Sequence, residues 1–218
     1  IENLDRDLAM IANDSFFAAG ITDLNDDQEC FLDGQLFINS LQILLKMFPG
    51  NKHSVENVEM AFEKYVSCRD KVGIFSLSKN PCVGMMWALY ASMRRGYCII
   101  YNKDALLKAP SSVYMNDRLM LEVKYSRQAP KADLRDISKG KLQQKLFGSK
   151  EAGWSAEEEV RIVTDRFGMQ RLVPSALHGI IFGSEMSDKD KDKIKDTLKN
   201  RNVCFYQLQR KKNDYGYE

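Results

Sequence analysis

Trp154-Ser155-Ala156-Glu157-Glu158-Glu159-Val160-Arg161 runs on into Ile162-Val163-Thr164, and the reading of the whole chain turns on this stretch. Val160, Ile162 and Val163 give it strand character over Glu158–Thr164. Successive side chains of a strand point to opposite faces. Glu157, Glu159 and Arg161 therefore share one face, while Val160 and Ile162 turn the other way, into a core. Two carboxylates and a guanidinium on one strand face read in two ways. One is a site in which a carboxylate contacts a ribose hydroxyl or an oxocarbenium-like centre while its neighbour orients a nucleophile. The other is an ion cluster in which Arg161 neutralises a partner carboxylate.

Working outward, a helix is predicted ending before Asn13-Asp14, because Leu4, Leu8 and Ile11 follow the i, i+4, i+7 pattern. Ser15–Ala19 reads as a short strand, and Asp23–Glu29 as a polar turn rich in Asn and Asp. Helices are predicted over 35–48, ended by Pro49-Gly50, and over 54–68, with Ser54 as N-cap. Gly73-Ile74-Phe75-Ser76-Leu77-Ser78 alternates as a strand, with both hydroxyls on one face. A helix over 83–94 carries Met86, Trp87 and Tyr90 and is capped by Gly96, and Tyr97–Tyr101 is a second strand. Further strands are predicted at 176–182 and 203–208, with a helix over 189–199 capped by Ser187. The fold class is α+β: a single domain over 1–218, with a mixed, largely antiparallel sheet flanked by helices.

Composition narrows the function. At 44% hydrophobic and 28% charged, the 218 residues have ordinary globular proportions. No apolar run is long enough for a transmembrane helix, and the acidic N-terminal stretch has no signal-peptide pattern. Five irregularly spaced cysteines without a Cys-x-x-Cys pair, and two distant histidines, argue against a disulfide framework or a zinc site. No metal is expected. The setting indicated is the reducing cytoplasm, with the cysteines mostly buried. His178, in an apolar strand, reads as a hydrogen-bonded core histidine.

The net charge of +2 hides an asymmetry: residues 1–40 hold nine acids and one base, whereas 124–150 hold eight bases and two acids. Residues 124–150 read as a basic loop or lid insertion with a helical piece near Leu142–Phe147. They are either a solvated face or a surface for phosphate-bearing ligands or nucleic acid. Neither the G-x-G-x-x-G nor the G-x-x-x-x-G-K phosphate loop occurs. No His-Asp pair lies near Ser76 or Ser78 to make either an activated nucleophile.

The order of these pieces is itself informative. Leu24-Asn25-Asp26, Phe75–Ser78, Met86–Tyr90 with Arg95–Ile99, Trp154-x-x-Glu157-x-Glu159-x-Arg161, and Ile180–Gly183 together resemble the bacterial domain of unknown function 2971 family (DUF2971). The resemblance runs from about residue 4 to residue 208. Where that family has Asn-Asp-Pro-Phe, this chain has Asn25-Asp26-Asp27-Gln28. A strand that opens family members would precede Ile1. The motif order is also similar, more distantly, to that of the ADP-ribosyltransferase superfamily. That likeness implies NAD as substrate, with Ser76, Ser78, Trp87 and Tyr90 as cofactor-binding residues. It makes Glu159 the catalytic acid, Glu157 the residue that orients the acceptor, and Arg161 their support. An effector of the toxin or phage-defence kind follows, modifying protein or nucleic acid, with an antitoxin as possible partner.

Two other functions stay open on the sequence. A non-catalytic nucleic-acid-binding or regulatory module would use Lys139, Lys141 and Lys145. A metal-dependent nuclease would use Asp26, Glu157 and Glu159.

Overall fold

The computed structural model describes residues 3–26, 28–108, 118–138, 141–214 and 216–218. In chain order the elements begin α1 (Leu4–Ala12), β1 (Ser15–Ala18), α2 (Gln35–Met47), α3 (Lys52–Ser67), β2 (Gly73–Ser78), α4 (Gly84–Tyr90), β3 (Tyr97–Tyr101) and α5 (Lys103–Leu106). They continue β4 (Leu119–Glu122), β5 (Lys124–Ser126), α6 (Leu134–Ser138), α7 (Leu142–Phe147), β6 (Ser149–Glu151), β7 (Glu159–Thr164), β8 (Gly168–Arg171), β9 (Leu177–Phe182), α8 (Asp188–Leu198) and β10 (Cys204–Gln207). The fold is α+β, with helices flanking largely antiparallel strands.

The strands form separate ladders, not one continuous sheet. In the first, β7 lies between β2 and β4, antiparallel to both. An isolated bridge between Ala19 and Ile74 joins the start of β2 to the antiparallel β1–β8 pair. In the second, β9 lies between antiparallel β3 and parallel β10. A short parallel pair, β5 with β6, stands apart.

Alternation sorts each face. On β2–β7–β4, Phe75, Leu77, Val160, Ile162 and Met120 turn to one side, where Phe16, Leu106 and Ala176 cover them. The other side carries Ile74, Leu121 and Val163 beneath Phe37, Phe62, Leu146 and Phe147, from α2, α3 and α7. Phe37 and Phe62 stack there with centroids 4.0 Å apart. The second ladder is enclosed by α1 and α8 on its Ile180/Phe182 face and by α4 on its Cys98/Ile181 face.

Several boundaries shift from the sequence reading. A 3-10 turn over Pro49–Asn51 leads straight into α3 at Lys52, so Ser54 lies inside that helix. Helix α4 stops at Tyr90, and the turn is made by Ser92, Met93 and Arg94 at positive φ (47°, 55° and 70°), not by a cap at Gly96. Segment 124–150 contains β5, α6, α7 and β6, and it sends Leu142, Leu146 and Phe147 into the core. His178 is exposed, although Leu177 and Gly179 on either side of it are buried; it is not a core histidine. Of the cysteines only Cys30 is buried, while Cys68 and Cys204 are exposed. No described helix is long and apolar enough to cross a membrane.

Candidate functional site

The Trp154–Arg161 stretch does not begin as a strand. Residues Ala152–Glu157 form a 3-10 helix, and Glu158 takes a left-handed conformation (φ 45°), so β7 starts at Glu159. A two-residue alternation therefore fails to describe Glu157, which nevertheless meets Glu159 and Arg161. All three are buried, with Arg161 at 0% exposure.

Two partners of this cluster carried no signal in the sequence. Glu29 ends the acidic turn that begins at Asp23, and Lys150 sits in β6; both are buried. The Arg161 guanidinium donates from Nε to Glu159 Oε1 (2.7 Å) and from Nη2 to Glu159 Oε2 (2.9 Å). It also pairs with Glu29 Oε2 and donates to the Phe147 carbonyl at 3.0 Å. Lys150 Nζ reaches Glu29 Oε1 (2.9 Å), Glu157 Oε2 (2.6 Å) and Glu159 Oε2 (3.2 Å), beneath the Trp154 ring at 5.0 Å. Three carboxylates and two cations thus close on one another with every carboxylate oxygen engaged. Burial of charge is tolerable only with such complete pairing.

The remaining oxygen of Glu157 leads outward. Tyr90 donates its hydroxyl proton to Glu157 Oε1 at 2.5 Å and accepts from Asn25 Nδ2 at 3.0 Å. Burial, and then the bond to this carboxylate, hold the Tyr90 phenol above its usual pKa. Tyr90 is also part of the wall of a cleft of about 920 Å³. Ser76, Ser78 and Trp87 line the same cleft, so the four residues expected at a cofactor border one cleft, the serines from β2 and the aromatics from α4. Trp87 is at once wall and core: it is buried, with Nε1 donating to the Pro81 carbonyl at 2.6 Å. Glu157, Glu159 and Arg161 do not line the cleft; they lie behind the Ser76 and Tyr90 wall. Phe75, Tyr101, Met120 and Val160 supply apolar surface, and Lys79, Lys103, Asp7 and Glu122 its charges.

The cluster's protonation follows from burial set against pairing. Burial pushes Glu159 up, but the Arg161 hydrogen bonds and charge, helped by the Ser76 side chain and Lys150, hold it below the ordinary value near 4.5. For Glu29 burial wins over Arg161 and Lys150, and its pKa is raised above 4.5. Lys150 and Arg161, penalised by burial, are nevertheless held above their usual values by the carboxylates. Below pH 4.5 the unfolded chain holds the Glu159 proton more tightly, so this group adds stability as pH rises to 4.5. Above 4.5 the folded protein holds the Glu29 proton more tightly, so its contribution falls as pH rises through the folded pKa. Thermal denaturation between pH 3 and 8 should therefore show that the falling limb above pH 4.5 flattens in Glu29→Gln. An unchanged limb would refute this assignment.

The other expected residues are scattered. Asp26 accepts from the Gln28 amide and shapes the turn, and it is the neighbouring Glu29 that enters the cluster. Among the described residues no three His, Cys, Asp or Glu side chains are arranged to hold a metal ion. In the basic segment, Lys145 pairs with Asp136 at 2.6 Å, Arg135 with Asp133 at 2.8 Å, and Lys150 is consumed by the cluster. Lys141 lines a shallow depression beside these pairs, and Lys139 lies outside the described residues.

Comparison with known proteins adds one match. Residues 86–162 match the family model described as protein of unknown function (DUF2971). The matched stretch runs from Met86, the third residue of α4, through β3 and the cluster residues Lys150, Glu157, Glu159 and Arg161, to Ile162 of β7. No curated protein and no solved structure matches the chain.

Proposed function

We propose that the cleft binds NAD and that the protein transfers ADP-ribose from it to a nucleophile on protein or nucleic acid. The observation that carries this reading is the convergence of Ser76, Ser78, Trp87 and Tyr90 on one cleft, with buried carboxylates directly behind two of them. Tyr90 offers an open aromatic wall for a nicotinamide ring, and the buried Trp87 backs the same part of the cleft. Lys103, and Lys79 on exchanging its Glu122 partner, are the cleft cations for a diphosphate. In the transfer, the bond between nicotinamide nitrogen and ribose C1′ breaks, and nicotinamide leaves with the electron pair. The acceptor then forms the new bond to C1′ and releases a proton. Negative charge beside C1′ stabilises the cationic ribose between these events.

Glu157 is the carboxylate best connected to the cleft, because its Oε1 meets only the Tyr90 hydroxyl. Glu159, gripped by both arms of the Arg161 fork, serves in this reading to hold Lys150 and Arg161 in place. An antitoxin partner, if the enzyme is a toxin, would act by covering the cleft.

Nicotinamide release and calorimetric NAD binding by the purified protein test the reading. The expected result is turnover that falls about 100-fold in Glu157→Gln, the lower end of the range for single electrostatic and proton-handling groups, and about 10-fold, below that range, in Tyr90→Phe, which leaves the carboxylate in place. NAD affinity should change little. Absence of both NAD binding and nicotinamide release, or turnover indifferent to Glu157→Gln in a variant of unchanged melting temperature, would overturn it.

A further inference from the structure

The cleft has a second property that a small-molecule site does not require: two strand edges open into it. Strand β2 pairs on one side with β7, and beyond Ile74 its other side pairs with no strand among the described residues. Ile74 exchanges both main-chain hydrogen bonds with Ala19, and Lys79 donates its amide to Glu158 on the β7 side. By alternation, the main-chain N–H and C=O of Ser76 and Ser78 point away from β7, toward the cleft.

Strand β3 repeats the situation. Among the described residues it pairs with β9 alone, and the Gly183 amide bonds the Gly96 carbonyl on that side. The main-chain groups of Tyr97 and Ile99 therefore face away from β9. Residues from both edges, Phe75–Ser78 and Tyr97–Tyr101, line the same cleft. On one face the Phe75 and Tyr101 rings meet edge-on across it, with centroids 5.8 Å apart.

Open strand edges are templates for pairing, and proteins ordinarily blunt them with Lys, Pro or a covering element. Neither edge here carries Lys or Pro. Both contribute residues to the lining of a cleft whose charges balance, Asp7 and Glu122 against Lys79 and Lys103, with Lys79 already paired to Glu122 at 3.2 Å. The side chains between these charges are apolar or hydroxyl-bearing. Main-chain donors and acceptors on two sides, and a neutral, largely apolar lining, are complementary to an extended, uncharged polypeptide segment.

We propose that the cleft accepts an extended strand of a partner protein. The strand is four to six residues long in order of magnitude, matching the lengths of β2 and β3. It hydrogen-bonds to Ser76 and Ser78 on one side and to Tyr97 and Ile99 on the other. Its alternate side chains are apolar toward Phe75 and Tyr101. Such a strand joins the two ladders into one sheet, by the strand addition known from other peptide-binding modules. This goes beyond the NAD reading and does not depend on it.

The test uses an acetylated and amidated heptapeptide of alternating Val and Thr with a solubilising Lys tail, titrated without NAD. Hydrogen exchange and calorimetry provide the readout. The expected result is saturable binding that slows exchange of the Ser76, Ser78, Tyr97 and Ile99 amides at least tenfold. An analogue N-methylated at alternate residues should bind at least tenfold more weakly. Ser76→Pro removes one cleft-facing N–H at a position where the fold does not use it, and should weaken binding while leaving the melting temperature within a few degrees. Ser76→Ala, which keeps that N–H, should bind as the parent protein does. Equal binding of the N-methylated peptide, protection confined to the free edge of β10, or no protection of the four amides at millimolar peptide would each overturn the proposal. The titration contains no NAD, so its outcome is separate from that of the transferase assay.

Discussion

Replacing Arg161 by Met is expected to destabilise the protein by about 3–5 kcal/mol, the usual cost of breaking a buried ion pair from one side. Arg161 is wholly buried and holds both oxygens of Glu159, one oxygen of Glu29 and the Phe147 carbonyl. Methionine fills much of the volume but leaves Glu29 and Glu159 with Lys150 as their remaining cation. The carboxylates then take up protons or draw in water, and either response opens the junction between β7, α7 and the Asp23–Glu29 turn. For a chain of this size the loss corresponds to a fall in melting temperature of roughly 6–20 °C. Arg161→Lys should recover only part of it, because an ammonium cannot span both oxygens of Glu159 in the plane of a fork. Adding Glu29→Gln and Glu159→Gln to Arg161→Met should restore stability relative to the single variant, since neutral groups no longer demand a buried cation. A melting temperature unchanged in Arg161→Met would show that the cluster contributes nothing to the fold.

Gly183→Ala is expected to cost about 3 kcal/mol, at the upper end of what forcing an extra methyl into a packed site costs. A Cβ at Gly183 would come within 2.8 Å of both the Arg94 carbonyl carbon and the Gly96 carbonyl oxygen, and nearer still to the Arg94 carbonyl oxygen. All three are backbone atoms, so no side chain can swing aside. The Gly183 amide also donates to the Gly96 carbonyl at 2.9 Å, and Glu185 donates to the Arg94 carbonyl at 3.0 Å. These bonds hold the Ser92–Arg94 turn, whose left-handed residues are strained and persist only because their surroundings fix them. Displacing the turn tilts the end of α4 and with it Tyr90. The variant should therefore lose the Tyr90–Glu157 contact as well as stability, visible as faster exchange in α4 and, if the transferase reading holds, as reduced nicotinamide release. Exchange unchanged in α4 would show that the turn and the cleft wall are independent.

Local pattern carried most of the element positions. Leu4, Leu8 and Ile11 sit on the buried side of α1, Ser187 caps α8 by accepting from the Asp190 amide, and alternation in 73–78 and 159–164 describes two paired strands. These features depend on neighbours a few residues apart, which the sequence displays directly. Strands β4, β5, β6 and β8 were not legible. They are three or four residues long and gain their hydrogen bonds from distant partners, so no periodicity accumulates within them.

The candidate site divides along the same line. The residue types and spacing in Trp154–Arg161 already put two carboxylates and a guanidinium together on a core-flanking strand, as either a site or an ion cluster. Which groups complete the set was decided only in three dimensions. Glu29 lies 132 positions from Arg161, and Lys150 reaches Glu157 through a turn whose left-handed Glu158 breaks the strand alternation. Desolvated charges take whatever opposite charge the fold brings within reach, and that distance is set by chain topology, not by sequence separation. The open edges of β2 and β3 are likewise tertiary: each strand carries the same backbone groups anywhere in a sheet, and only the placement of the two ladders left these groups facing one cleft.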